Sequence, residues 1–257
     1  MHLGTMTWPE RPTRPAAAGA IGARTLLASE LLCESVDLRA GERVLAAACG
    51  SGNAALAAAR RFCQVVGLDA PEPLAPARRR AEAEGLEVTF LEGDADELPF
   101  PDGCFDVALS AAEAMAPTDQ GRAVGELLRV CRPGGRVGLV CWEPRGYVGE
   151  LLAAVSGARP PAGGERRLCG LLGPGAAVAA PRRSLLWRFP SAEHQVELLA
   201  SCHRPTAAAL QAPSPGRAAA LRRELLALAR RFDVSDDDTL VLQLDYLEVV
   251  ARKPAWR

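Results

Sequence analysis

The chain carries 30 basic and 31 acidic side chains among 257 residues, a formal net charge of −1, and 49% of its residues are apolar. That length holds one full α/β core with room for an insertion, and the even charge balance offers no field for nucleic acid or an anionic membrane. No apolar run approaches the roughly 20 residues of a membrane helix, and the opening residues lack the charged-then-apolar run of a signal peptide, so a cytoplasmic protein is expected.

In chain order, residues 23–34 read as a helix, with Leu26, Leu27, Leu31 and Leu32 at helical spacing. An apolar strand from Arg43 then runs straight into a loop of tiny residues. Ala48, Gly50 and Gly52 leave no bulk there, and residues 54–61 form a helix whose free N–H groups face the loop. A nucleotide-like ligand is the first expectation. At this point the alternatives stay open, because Gly50-Ser51-Gly52-Asn53-Ala54-Ala55 also fits the Gly-x-Gly-x-x-Ala form of a dinucleotide fingerprint, and such turns occur in purely structural roles.

A second strand, Val65 to Asp69, ends in a carboxylate placed to hold both hydroxyls of a ribose. The third, Val88 to Glu92, leads into Gly93-Asp94-Ala95-Asp96-Glu97-Leu98-Pro99-Phe100, and the turn Pro101-Asp102-Gly103 leads into a fourth, Phe105 to Ser110. Residues 119–131 form a helix buried through Leu127, Leu128 and Val130, and Gly134-Gly135 turns the chain into a fifth strand, Val137 to Trp142. Residues 143–183 are rich in Pro and Gly and predict a lid or cap. A strand at Ser184 to Phe189 follows, then a helix capped by Ser191, then a helix striped by Leu221, Leu225, Leu228 and Phe232. Thr239 to Ala251 closes the sheet, and no internal repeat is present.

The succession of small-residue loop, Asp69, Gly-Asp-Ala, Leu-Pro-Phe-x-Asp-x-x-Phe-Asp and Leu127-Leu128-Arg129-Val130-Cys131-Arg132-Pro133-Gly134-Gly135 resembles the class I S-adenosylmethionine-dependent methyltransferases. It is most similar to the small-molecule type related to the ubiquinone and menaquinone C-methyltransferases. A nicotinamide dehydrogenase has no use for the later blocks. The resemblance spans residues 25–143, and the segments 227–232 and 245–251 are similar to bacterial members too. It implies a doubly wound, mostly parallel, seven-stranded Rossmann-like α/β sheet in a single domain. That domain divides into an N-terminal helical segment (1–35) over the pocket, a cofactor-binding core (36–142), an insertion and helical cap (143–235) and a closing strand (236–257).

Carried over by position, the resemblance implies S-adenosyl-L-methionine as cofactor. The backbone of Ala48, Cys49, Gly50 and Gly52 would wrap its methionine and ribose, and Asp69 would hold the ribose hydroxyls. Asp94 and the Ala95 amide would bind adenine between Ala70 and Leu98, and Ser110 would face the sulfonium. Ala46 departs from the pattern, since the family usually carries an acidic residue there toward the amino-acid end of the cofactor; Ala48 replaces a frequent Gly.

For a hydroxyl acceptor the candidate bases are Glu113, just past the fourth strand, and His203, in the C-terminal segment that such folds bring over the pocket. A solvated loop carboxylate and a surface imidazole are the respective alternatives. His194 reads as decoration on a helix face, and Asp236-Asp237-Asp238 as an acidic turn without the spacing of a calcium loop. Trp142 and Glu143 could line a substrate wall or simply pack. The eight cysteines form no Cys-x-x-Cys pair and no metal spacing with the three histidines, which predicts free thiols in a reducing compartment and no metal. The abundance of Ala, Gly, Pro and Arg beside a single lysine, Lys253, suggests a GC-rich bacterial genome. The expected protein is a monomer or homodimer that methylates a small molecule, a secondary metabolite among the candidates. The alternative keeps the fold and the bound cofactor without methyl transfer, as a cyclase, an isomerase or a noncatalytic binding protein.

Overall fold

The computed structural model describes residues 20–111, 120–157, 164–173, 175–211 and 215–255. Helix α1 (Ala20–Ser35) precedes an alternation of β1 (Arg43–Ala47), α2 (Asn53–Arg60), β2 (Gln64–Asp69), α3 (Pro71–Glu84), β3 (Val88–Glu92), β4 (Phe105–Ser110), α4 (Gln120–Val130) and β5 (Cys131–Trp142). The chain continues through α5 (Tyr147–Ser156), α6 (Gly164–Leu172), β6 (Ala177–Ala179), β7 (Arg182–Phe189), α7 (Ala192–Cys202), α8 (Arg204–Leu210), α9 (Pro215–Arg231) and β8 (Leu240–Arg252).

The strands form one sheet in the order β3-β2-β1-β4-β5-β8, with β6 and β7 both on the far side of β8. Neighbours among β1 to β5 run parallel, and β8 is antiparallel to β5, β6 and β7. Among the described residues the sheet therefore has eight strands in seven lanes, where seven strands were expected. The last lane is split because Pro181 has no N–H to donate to a ladder. β6 pairs with the Val250–Arg252 end of β8 and β7 with Leu240–Leu247, while the Pro181 carbonyl between them accepts from the Glu248 amide at 3.0 Å.

The central strands β1 and β4 are near-continuous apolar runs buried along most of their length, so both faces of the sheet are covered there. On one face Val44 and Ala46 pack with α1, α2, α3, α5, α7 and α9. On the other, Leu45, Ala47 and Leu139 meet Val124 and Leu127 of α4 and Leu168 and Leu172 of α6. The Gly134-Gly135 turn exists as a register shift inside a longer β5, where Phe105 pairs with Cys131 but Val107 with Arg136.

Regular structure fills most of the described part of 143–183. Tyr147, Val148 and Leu151 of α5 are buried in the core. Gly149 brings that helix against the turn that follows β5 so closely that a Cβ would lie 2.3 Å from the Pro144 carbonyl oxygen. Among the described residues no helix is long and apolar enough to cross a membrane.

Candidate functional site

Parallel strands end together, and the loops after β1, β2 and β3 meet at one edge of the sheet. The β1 loop reverses through left-handed residues, with φ of 48° at Ala48, 55° at Gly50 and 90° at Gly52. The Cys49 amide donates to the Leu68 carbonyl at 3.1 Å and the Gly52 amide to the Cys49 carbonyl at 2.9 Å. Gly52 also lets α3 close in, since a Cβ there would lie 3.0 Å from that of Ala77. Helix α2 begins beyond Gly52 without a side-chain cap, leaving its first turn directed at the loop.

Asp69, at the end of β2, locks this loop. Its Oδ2 accepts from the Gly50 amide and its Oδ1 from the Ala70 amide, both at 2.7 Å. Each oxygen keeps a lone pair for a further donor. Burial lifts the carboxyl above its ordinary range against the opposing pull of those two amides. The Gly93 amide donates to the Asp69 carbonyl at 3.1 Å, which draws in the β3 loop. There the Asp94 Oδ1 accepts from the Asp96 amide at 2.9 Å, and the Leu98 amide donates to the Glu126 Oε2 of α4 at 2.8 Å. Arg129 completes the brace, donating to Glu126 and to the carbonyls of Leu98 and Phe100. The structure thus brings Ala48, Cys49, Gly50, Gly52, Asp69, Ala70, Asp94, Ala95 and Leu98 around one end of the sheet, with half-buried Ser110 at the tip of neighbouring β4.

A family model described as a methyltransferase domain matches residues 44–135, the span that builds this arrangement. An uncharacterised protein of Mycobacterium tuberculosis is 35% identical over 92% of this chain and 93% of its own length. The demethylmenaquinone methyltransferase of Thermus thermophilus is 48% identical over 116 residues, 43% of this chain and 53% of its own. Among solved structures, the YcgJ protein of Bacillus subtilis superposes with a TM-score of 0.66 at 21% identity, covering 89% of this chain and 99% of its own. The (4+2)-cyclase SpnF superposes at 0.59 with 25% identity over 96% of this chain and 86% of its own. This chain belongs to the class I S-adenosylmethionine-dependent methyltransferases.

Within this methyltransferase fold Ala46 is buried to 1% exposure at the end of β1, between Gly67 and Leu109 of the flanking strands. A carboxylate is absent where the family pattern has one. His203 lies at the junction of α7 and α8, buried, with its Nδ1 2.6 Å from the Thr206 hydroxyl. Burial pushes its pKa down to about 4, so the ring is neutral at neutral pH. Next to it, Arg204 pairs with Glu72 of α3 at 3.1 Å, which ties α8 to the helix that follows Ala70. Glu113 lies outside the described residues.

Trp142 packs edge-on against Tyr246 with ring centroids 5.6 Å apart, and Glu143 pairs with Arg182 at 3.0 Å. His194 is half-buried, its amide donating to the Ser191 cap. The Asp237 carboxylate accepts from the Thr239 amide at 2.8 Å, capping the turn into β8. The cysteines are free thiols, Cys49 among them, and among the described residues no cluster of His, Cys, Asp or Glu could hold a metal.

Proposed function

We propose that this chain binds S-adenosyl-L-methionine along the loops after β1, β2 and β3 and catalyses methyl transfer to a small organic acceptor in the cytoplasm, acting as a monomer or homodimer, with a secondary metabolite as the acceptor class. The observation that carries the reading is the Asp69 carboxylate, bonded to the Gly50 and Ala70 amides and still open to two donors. A ribose offers two hydroxyls at that spacing. The backbone of Ala48 to Gly52 would hold the methionine portion, Asp94 and Ala95 the adenine edge, and Ala70 and Leu98 its faces, with Ser110 toward the sulfonium.

When bound, S-adenosylmethionine supplies a methyl group already activated for in-line displacement, so the protein's share is alignment and exclusion of water. For a hydroxyl acceptor a proton must also leave, and Glu113 and His203 are the candidates to receive it. The neutral His203 ring can accept a hydrogen bond from such a hydroxyl. A ring held at about 4 stores a proton poorly, which gives His203 more weight as an orienting acceptor than as a full base.

Asp69→Ala and Asp94→Ala should each weaken binding of S-adenosylhomocysteine by about tenfold or more while the chain stays folded, since each strips acceptors from a desolvated polar ligand group. Titration calorimetry on both variants checks this, and wild-type affinity in both would show that the positions carry no nucleoside.

Ala46 favours one second reading, a bound nucleoside in a fold turned to other chemistry. Loss of a charge-assisted contact costs on the order of 1.5–3 kcal/mol of affinity, which a protein with no methyl to transfer could forgo.

A further inference from the structure

Asn53 is fully buried, at 0% exposure, an uncommon place for a side chain with two donors and an acceptor. Its donors and acceptor are engaged. The Nδ2 donates to the Gly22 carbonyl at 2.6 Å and to the Thr25 hydroxyl at 3.3 Å, and the Oδ1 accepts from Arg80 Nη1 at 2.7 Å. The same Arg80 nitrogen donates to the Ser51 carbonyl at 2.7 Å and its hydroxyl at 3.2 Å. Thr25 donates in turn to the Gly22 carbonyl at 3.0 Å. One continuous set of bonds therefore runs from α3 through the β1 loop and the start of α2 to the first turns of α1.

The network fixes the peptide that joins Ser51 to Gly52 at both ends, its carbonyl held by Arg80 and its amide by the Cys49 carbonyl. Together with the Asp69 bond to the Gly50 amide, this holds the loop from β2 and from α3 at once. Replacing buried polar groups by well-packed apolar side chains is often neutral for stability, so what a satisfied buried network adds is geometry.

We propose that Arg80 and Asn53 are positioning residues for the nucleoside loop, and that Asn53 couples occupancy of that loop to the first turns of α1. The coupling is reciprocal: a ligand that steadies residues 50–53 steadies Gly22 and Thr25, and loosening α1 weakens the ligand. The ligand half of this proposal rests on the cofactor reading above; the mechanical half does not.

The test combines calorimetry with amide hydrogen exchange, using S-adenosylhomocysteine as the probe. In wild type the ligand should slow exchange of residues 20–29 several-fold. Asn53→Asp keeps an oxygen toward Arg80 but loses the donors to Gly22 and Thr25, so it should lose that slowing and bind about tenfold more weakly. Arg80→Met keeps the apolar stem and should weaken binding while the response of α1 at saturation survives. If Asn53→Asp does not fold, Thr25→Val removes one link of the same chain and should reduce the α1 response. Full slowing and wild-type affinity in Asn53→Asp, or in Thr25→Val where that variant stands in, would overturn the proposal. Should wild type fail to bind the probe, the cofactor reading falls, but the ligand-free comparison still decides the mechanical claim. Arg80→Met must then speed exchange at residues 49–56, and unchanged exchange there would refute it.

Discussion

Ala48 holds a left-handed φ of 48°, a conformation in which its Cβ crowds the following carbonyl at a cost of about 1–2 kcal/mol. Glycine would relieve that strain but adds freedom to the unfolded chain, worth about 0.4–1 kcal/mol in the other direction. The strain is the larger effect, so Ala48→Gly should raise the melting temperature by about 2 °C, read by differential scanning calorimetry. A lower value would show that the methyl group packs usefully.

Ala46 sets a sharper question. Under methyl transfer, Ala46→Asp should tighten S-adenosylmethionine binding by about 1–2 kcal/mol, five- to thirtyfold, as the new carboxylate meets the ligand's ammonium directly or through water. Weaker binding with a lower melting temperature would mark an unpaired buried charge and favour the repurposed reading.

The small loop and Asp69 were readable from residue types alone, because tiny residues after an apolar strand and a carboxylate at a strand end each have a local cause. Arg80 was not. It stands in the run Arg78-Arg79-Arg80, which looks like a solvated helix face, and only the packing of α3 on the β1 loop brings it to Ser51 and Asn53.

At the level of elements, strands announced themselves by short apolar runs, and β3 and β4 have the same bounds in sequence and structure. Helix α3 escaped notice because Pro71, Pro73 and Pro76 punctuate it and only Leu74, Ala77 and Ala81 are buried. Its ends still follow local rules, with Pro in the first turn and Gly85 at φ 63° past the last. Helices α5 and α6 were hidden by the Pro and Gly residues around them. Helix α8 is too short to show a period, yet it carries the His203–Thr206 contact.

The junction of α7 and α8 has a pH signature. The folded state holds His203 at about 4 while an unfolded histidine titrates near 6.5. Below 6.5 the unfolded chain takes up a proton that the fold refuses, so this residue's contribution falls as pH drops from 6.5 toward 4 and is constant above 6.5. His203→Gln should flatten that part of the stability profile in urea titrations between pH 4 and 7. An unchanged slope would place the titration elsewhere.

Over the whole molecule, the order of β1 to β5 and the antiparallel closing strand put the ends of β1, β2 and β4 side by side, and every loop of the candidate site descends from that order. An ion-pair web fastens the supporting helices: Arg60 bridges Glu30 of α1 and Glu84 of α3, and Arg61 reaches Glu30 and Glu34. The ligand we propose spans the loops after β1, β2 and β3 together.

The most direct test of that claim is titration calorimetry of the purified wild-type chain with S-adenosylmethionine, S-adenosylhomocysteine and NAD. Both sulfur nucleosides should bind with micromolar-range affinity and raise the melting temperature, because a ligand confined to the folded state stabilises it, and NAD should do neither. Tight NAD binding with no response to either sulfur nucleoside would contradict the account.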